Sequence, residues 1–387
     1  MIGGGVTIGG NEEWSLSHES DISVLLVADR LTARGSSAYT VRLLDRLPEF
    51  GIQPRLLCRS SDCIDPERRR DLPIEESPHL EFPVWRWVVL RDIIKRSSGA
   101  PPRLVHVQTP ASLRVGERLA AAWKCPLVLS VHDFLPPQMN IRFAPPYGGK
   151  ISAVSQPVKD DLLQRSRLKA EQIAVIHSGV EEPPVQSAPL RERTNPVMVV
   201  GTAGPLEPRK GQSFFLQAAK LVHAQRPEVE FLIAGSGPEE RNLRRLTQEL
   251  GLTGQVTFVP YLRKYHDAIS AMDIFCLPSL QQGLGTLMLE AMVRSKPVIA
   301  TNVGGVSRVI HDGETGLIIP SENAPQLAAK ILQLLGDPSQ AQLLAENGKR
   351  LVLDQFSVEQ MLSRTASLYR EVLGERPPLR LSPISAE

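Results

Sequence analysis

From about residue 21 the chain alternates short apolar, β-branched runs with amphipathic stretches, and after a proline-rich break it does so again. That doubled alternation constrains the fold more than any other feature. Runs that are apolar on both faces and spaced by helical stretches predict parallel sheets covered on both sides. In the first series strands are predicted at 22–28, 104–108, 126–131 and 151–154, with helices at 37–50, 111–123 and 157–167. In the second, strands are predicted at 197–200, 229–234, 256–259, 274–277, 297–300 and 317–319. Helices fall between them at 211–225, 239–250, 286–294 and 324–335, and two more follow, ending near Leu373.

The break at 181–196 carries prolines at 183, 184, 189 and 196 and no periodicity, as an interdomain linker does. The predicted organisation is a leader at 1–20, a doubly wound Rossmann-like domain at 21–182, a linker at 183–196 and a second such domain at 197–356. A helix at 357–373 is expected to pack back on the first domain, ahead of a tail at 374–387. The glycine clusters at 3–5 and 9–10 precede the first strand. A phosphate loop must follow a strand, so they read as leader.

Composition narrows the function classes. The 387 residues hold 44 basic and 42 acidic side chains, a formal net charge of +2, which gives no general attraction to nucleic acid. Any anion site must be local. Cys58, Cys63, Cys125 and Cys276 form no Cys-x-x-Cys pair and have no histidine at zinc-ligand spacing, so a reduced, cytoplasmic setting fits best. The first twenty residues lack the basic start and apolar stretch of a signal peptide, and no window approaches the ~20 apolar residues of a membrane span. The expectation is a soluble or at most peripheral protein.

Ligands of open parallel sheets bind outside the carboxyl ends of the strands, so chemistry should follow strands. Four segments do. In PSLQQGLGTLMLEAMVRSKPVIAT at 278–301, a strand ends, a turn with Gly283 and Gly285 follows, and a helix starts near Thr286. The unpaired N–H groups and positive dipole of a helix start can accept a diphosphate. Glu290, four residues on and on the face of Thr286, could reach a ribose hydroxyl pair. The same pattern also serves as plain packing beside a solvated glutamate. In GTAGPLEPRKG at 201–211, Arg209 and Lys210 stand immediately before a helix, where a lysine can neutralise a leaving diphosphate; a lone lysine is also commonly a solvated charge. His132, in Ser130-Val131-His132-Asp133, falls where a strand meets the cleft, a place that capped loop histidines also occupy. Arg34-Gly35-Ser36-Ser37 is a small-residue turn that opens a helix and lets backbone approach closely.

Together these segments resemble the family-four glycosyltransferases of the GT-B fold. The likeness covers residues 22–373 and includes AVSQPVKDDLL at 153–163, VIHSGVE at 175–181, FLIAGSGPE at 231–239, AMDIFCLPS at 271–279 and NVGGVSRVIHDGETGLIIP at 302–320. The resemblance implies an α/β GT-B architecture: two doubly wound Rossmann-like domains facing a central cleft. It further implies retaining transfer of a sugar from a nucleotide-diphosphate donor to an acceptor hydroxyl, without cofactor or metal, and the chain has no Asp-x-Asp pair. The acceptor class it implies is a carbohydrate, a lipid-linked sugar or a small molecule.

By that resemblance Lys210 contacts the donor diphosphate, with Gly204 and Arg209 beside it. Backbone at Gly283, Leu284, Gly285, Thr286 and Leu287 binds diphosphate and sugar, and Glu290 holds the ribose. His132 sits near the transferred sugar, Gly35 and Ser36 close over the phosphates, and Gly235, Gly237 and Tyr261 surround the nucleotide. Family members with lipid-linked acceptors touch membranes with the N-terminal lobe. WRWVVLRDIIKR at 85–96 mixes aromatic and basic residues, yet these interleave around the helical wheel, as in a partly buried helix.

Three positions depart from the family pattern. Gln282 stands where the first of two glutamates is usual, Pro205 where an arginine is, and Arg308 where a glutamate often follows the Gly304-Gly305 turn. Losing two charge-assisted contacts costs roughly 3–6 kcal/mol if nothing compensates. A weakened, nucleotide-sugar-binding partner subunit and a different GT-B enzyme such as an epimerase therefore stay open beside the transferase.

Overall fold

A computed structural model describes residues 22–31, 35–62, 64–183, 197–260 and 265–375. The predicted leader, most of the linker and nearly all of the tail lie outside the described residues, as do Arg34, Cys63 and Tyr261.

The first lobe runs β1 (Ile22–Val27), α1 (Gly35–Arg46), β2 (Ile52–Cys58), α2 (Pro66–Asp71), β3 (Ile74–Glu76), α3 (Pro83–Arg96), β4 (Leu104–Val107) and α4 (Leu113–Trp123). It continues with β5 (Leu127–Val131), β6 (Gly149–Ala153), α5 (Gln156–Arg165) and β7 (Ile173–Val175). Its seven strands are parallel in the order β3-β2-β1-β4-β5-β6-β7. The second lobe runs β8 (Val199–Ala203), α6 (Gln212–His223), β9 (Glu230–Ala234), α7 (Glu240–Glu249), β10 (Val256–Val259), α8 (Tyr265–Ala271) and β11 (Ile274–Leu277). Then come α9 (Thr286–Val293), β12 (Val298–Thr301), β13 (Leu317–Ile319), α10 (Ala324–Gly336), α11 (Pro338–Gln355) and α12 (Val358–Leu373). Its six strands, again parallel, lie in the order β10-β9-β8-β11-β12-β13.

The central strands are buried on both faces, which is why they read as unbroken apolar runs. Strands β2 and β3 escape the sequence reading because IQPRLLC alternates exposed and buried residues and contains Pro54. The edge strand β3 pairs with β2 only from Leu56 onward, so the stretch around Pro54 needs no ladder donor on that side. Strand β8, predicted at 197–200, instead runs through Gly201 to Ala203. Gly201 packs flush on Met272, where a Cβ would lie 2.4 Å from the sulfur, so this glycine serves packing and does not end the strand.

Helix α12 crosses back onto the first lobe. Val358, Met361, Leu362, Ala366, Leu368 and Tyr369 join its core, each large side chain contributing roughly 1.5–3 kcal/mol by burial. The outgoing and returning crossings touch, with Val180 N donating to the Phe356 carbonyl at 2.9 Å.

Candidate active site

The strand order places the chemistry. In each sheet the order reverses beside the first strand, between β1 and β4 and between β8 and β11, and ligands bind at such switch points. The loops leaving β1, β8 and β11 carry Gly35, Lys210 and Gly283.

Residues from both lobes meet there. Gly35 opens α1 and Thr286 opens α9, and a Cβ on Gly35 would lie 3.0 Å from the Cβ and Oγ1 of Thr286. Two positive helix ends therefore converge. Gly283 sits under the first lobe so closely that a Cβ would come within 2.7 Å of the His132 carbonyl oxygen. Ser155, heading α5, donates its hydroxyl to the Gly283 carbonyl at 2.6 Å.

The turn before α9 keeps its donors open. The Arg209 carbonyl accepts the amides of Leu280 (2.8 Å) and Gln281 (3.3 Å), and the Gln282 carbonyl accepts Gly305 N at 3.2 Å. Beyond these, the backbone N–H groups of Gly283, Leu284, Gly285, Thr286 and Leu287 have no acceptor among the described residues. The N-cap residue Gly285 supplies no side-chain cap. A row of uncapped amides at a helix start is an anion site.

Lys210 stands beside that row, 9% exposed. Its ammonium donates to Gln282 Oε1 at 2.8 Å and lies 3.5 Å from Asp133 Oδ2. Burial pulls the ammonium below its usual range, and Asp133 opposes that pull. A neutral amide at Gln282 holds Lys210 in place without cancelling its charge. Arg209 pairs with Asp133 at 2.7 Å and Glu207 at 2.9 Å. Pro205 offers only its carbonyl, to Gln212 Nε2 at 3.1 Å.

His132 is half-buried, its Nε2 covered and without a partner among the described residues. Its ring meets Tyr39 edge-on, centroids 4.7 Å apart. Burial pushes its pKa down to about 4, against the pull of Asp133, so the imidazole is neutral at pH 7.

Glu290 departs most from expectation. It is fully buried, with Oε1 2.6 Å from Arg42 of α1 and Oε2 2.6 Å from Arg294, while His266 Nδ1 lies 3.5 Å away. Burial alone would raise this carboxyl, but Arg42, His266 and Arg294 hold it below its usual range. In this state the predicted ribose ligand is occupied by guanidinium groups from both lobes.

The remaining predicted positions are structural neighbours of the site. Gly204 starts the loop after β8, where a Cβ would touch Leu287. Gly235 and Gly237 press on the carbonyl oxygens of Gly204 and Leu206, so their missing side chains serve loop packing. The Ser36 carbonyl accepts the Thr40 hydroxyl at 3.0 Å. Leu284 is buried and Leu287 packs on the core. Arg308 ends the short turn from Gly304 that packs on Gly283 and Leu284, and lines a cavity by the lobe crossing.

Sequence reasoning missed Asp133, Ser155, Arg42, Arg294 and His266. Arg42 left a signal: it follows Tyr39 by three residues and adjoins Leu43, on the apolar stripe of α1. Among the described residues, no group of three or more His, Cys, Asp or Glu side chains could hold a metal.

Two family profiles match the chain: "Glycosyltransferase Family 4" over residues 33–182 and "Glycosyl transferases group 1" over residues 188–351. The chain is 29% identical to the alpha-D-kanosaminyltransferase of Streptomyces kanamyceticus over 228 residues, 55% of this chain and 58% of that enzyme. It is 25% identical to the MMP alpha-(1->4)-mannosyltransferase of Mycolicibacterium hassiacum over 278 residues, 70% of this chain and 66% of that one. In three dimensions it is similar to Anabaena Alr3699/HepE in complex with UDP, with a TM-score of 0.73 at 20% identity over 90% of this chain and 100% of that one. Its two parallel sheets have the GT-B arrangement.

Proposed function

Since the chain belongs to the group 1, family 4 glycosyltransferases, we propose that it moves a sugar from a nucleotide-diphosphate donor to an acceptor hydroxyl, retaining the anomeric configuration and using no metal. The observation that carries this reading is the row of unaccepted amides from Gly283 to Leu287, flanked by buried Lys210 and facing the start of α1. A pyrophosphate supplies the acceptor oxygens and negative charge that this arrangement lacks.

In the proposed reaction the bond from the anomeric carbon to the diphosphate oxygen breaks, and charge builds on the leaving group. Lys210 and the α9 amides stabilise that charge, in place before the reaction begins. The acceptor hydroxyl attacks from the face the diphosphate leaves, and its proton passes to the departing phosphate oxygen. Neutral His132, edge-on to Tyr39 and with its carbonyl against the Gly283 turn, packs beside the sugar without adding a charge. Mixing the protein with UDP-, GDP- and ADP-sugars and a range of acceptors should release nucleotide; silence across the whole panel overturns the reading.

A second reading rests on Glu290. Its engagement with Arg42 and Arg294, together with the neutral amide at Gln282, suits a subunit that binds nucleotide-sugar and turns it over weakly. Gln282→Glu separates the two. A rate increase over the parent favours the enzyme, and bound donor with no turnover in either form favours the binder.

Among the described residues no helix is long and apolar enough to cross a membrane. On α3, Leu90 and Ile93 are buried, while Trp85 (57%), Trp87 (58%) and Val88 (45%) face outward and Arg91 lies over the Trp87 ring. Aromatic and basic residues of this kind suit peripheral contact at a cytoplasmic membrane face near a lipid-linked acceptor. Co-sedimentation with anionic vesicles that persists in W85A/W87A protein refutes it.

A further inference from the structure

A cavity of about 590 Å³ lies where the chain crosses between lobes. The two crossings are joined there, Val180 pairing with Ser357 as a parallel bridge. Its wall includes Arg308 from the second lobe, Arg364 and Gln360 of α12, Gln156 at the head of α5, His177 and Asp354.

The wall suits an anion. Arg308 has no hydrogen bond or ion pair among the described residues, and the Arg364 guanidinium bonds only the Gln360 amide oxygen, at 3.1 Å. Asp354 is the one carboxylate on the wall, so two guanidinium groups face a single negative charge. His177 Nδ1 meets the Val154 carbonyl at 2.8 Å, and its ring tilts against Phe356 with centroids 5.2 Å apart. Burial holds that imidazole below its usual range against the pull of the Val154 carbonyl, and Arg364 and Arg308 add to the lowering. The head of α5 also lacks a side-chain cap, because Ser155 gives its hydroxyl to the Gly283 carbonyl.

We infer that this cavity binds a phosphate dianion, free or as a small phosphomonoester, between Arg308 and Arg364, with the Gln156 and Gln360 amides completing its contacts. Planar guanidinium forks match phosphate oxygens in pairs, which a lone ammonium cannot do. The inference also gives a role to Arg308, whose guanidinium has no hydrogen bond or ion pair among the described residues; a carboxylate there would repel the ligand. It does not rest on the transferase reading. Because the contacts come from both lobes at their crossings, the ligand favours whichever lobe arrangement brings the two arginines together.

The test uses the full chain at low ionic strength with chloride-matched controls. Inorganic phosphate and glucose 1-phosphate are titrated separately by calorimetry. Saturable one-site binding is expected, weakened roughly ten-fold or more by Arg308→Gln or Arg364→Gln and abolished by Arg308→Glu. It should survive in Lys210→Ala, which removes the ammonium beside the α9 amides. Binding by both probes, or by glucose 1-phosphate alone, supports the site and says whether the rest of the ligand matters. Binding by neither overturns it. So does binding lost in Lys210→Ala but intact in Arg308→Gln, which would assign the anion to the α9 turn.

Discussion

The two lobes share a switch-point topology yet place their polar residues in opposite ways. In the second lobe the polar residues buried on the strands are two threonines, Thr202 and Thr301, and the buried charges stand beyond the strand ends, Lys210 in the loop after β8 and Glu290 in α9. The first lobe carries polar groups inside its sheet. His106 on β4 is fully buried, with Nδ1 2.5 Å from the Tyr369 hydroxyl and Nε2 2.8 Å from Ser130 Oγ. Tyr39 meets Thr365 of α12 at 3.3 Å and His132 at the crevice. The difference teaches a division of labour: one lobe offers a preformed anion site, while the other is a hydrogen-bonded frame that α12 helps to hold.

Removing the charge on the anion side should have the largest effect. Lys210→Ala is expected to lower nucleotide release by roughly 10²–10³-fold, the size seen when one preorganised donor to a leaving charge is lost. A loss below five-fold would show that the amides of α9 suffice alone, and the lobes would then differ less than their charges suggest.

The next test separates the lobes by pH. Burial, with a smaller push from His132, drives the His106 pKa from 6.5 down to about 3. A histidine held neutral this way binds protons more readily unfolded than folded, so stability is complete above about pH 6.5 and falls as pH drops towards the folded value. Between pH 7 and pH 4 the first lobe should lose on the order of 3 kcal/mol from this group. Glu290 is shifted in the same direction, below its usual range, so its contribution is also lost as pH falls, but only from the carboxylate range downward, as acid passes through its depressed folded value. Urea unfolding at pH 7, 5 and 4 reads the slope. If His106→Gln leaves that slope unchanged, the frame does not depend on a neutral imidazole.

How much of this was legible follows the same division. The donor loops of the second lobe are contiguous stretches, so strand, glycine, lysine and helix start can be read in order at 201–211 and 278–301. The parallel sheets are legible because their central strands are buried on both sides. Strands β2 and β3 are not, since an edge position tolerates Pro54 and exposed residues. The interlobe partners are hidden for another reason. Arg294 follows Glu290 by four residues and is a local partner, but Arg42 lies 248 positions away and nothing near Glu290 announces it. Asp133 and Ser155 are similarly ordinary until Arg209 and Gly283 come to rest against them.

Arg42→Ala tests that hidden join. It leaves a buried carboxylate with Arg294 still beside it, so the cost should be about 2–3 kcal/mol, below that of a wholly orphaned ion. Equilibrium unfolding measures it. A change under 0.5 kcal/mol would mean that Arg294 alone satisfies Glu290, and the ribose reading of Glu290 would then face no competitor from the first lobe.

The smallest expected effect is the sharpest test of whether the frame reaches the chemistry. Tyr369→Phe keeps the ring in the core and removes one hydroxyl from buried His106, which should cost about 1–2 kcal/mol. If the network is only a frame, kcat and KM for nucleotide release stay within two-fold of the parent while the unfolding midpoint falls. Tyr39 gives a reason to look further, because its hydroxyl is held by α12 and its ring edge rests on His132. A ten-fold fall in kcat at unchanged KM in Tyr369→Phe, repeated in Thr365→Val, would show that the returning helix sets the orientation of His132, and the division between anion site and frame would no longer hold.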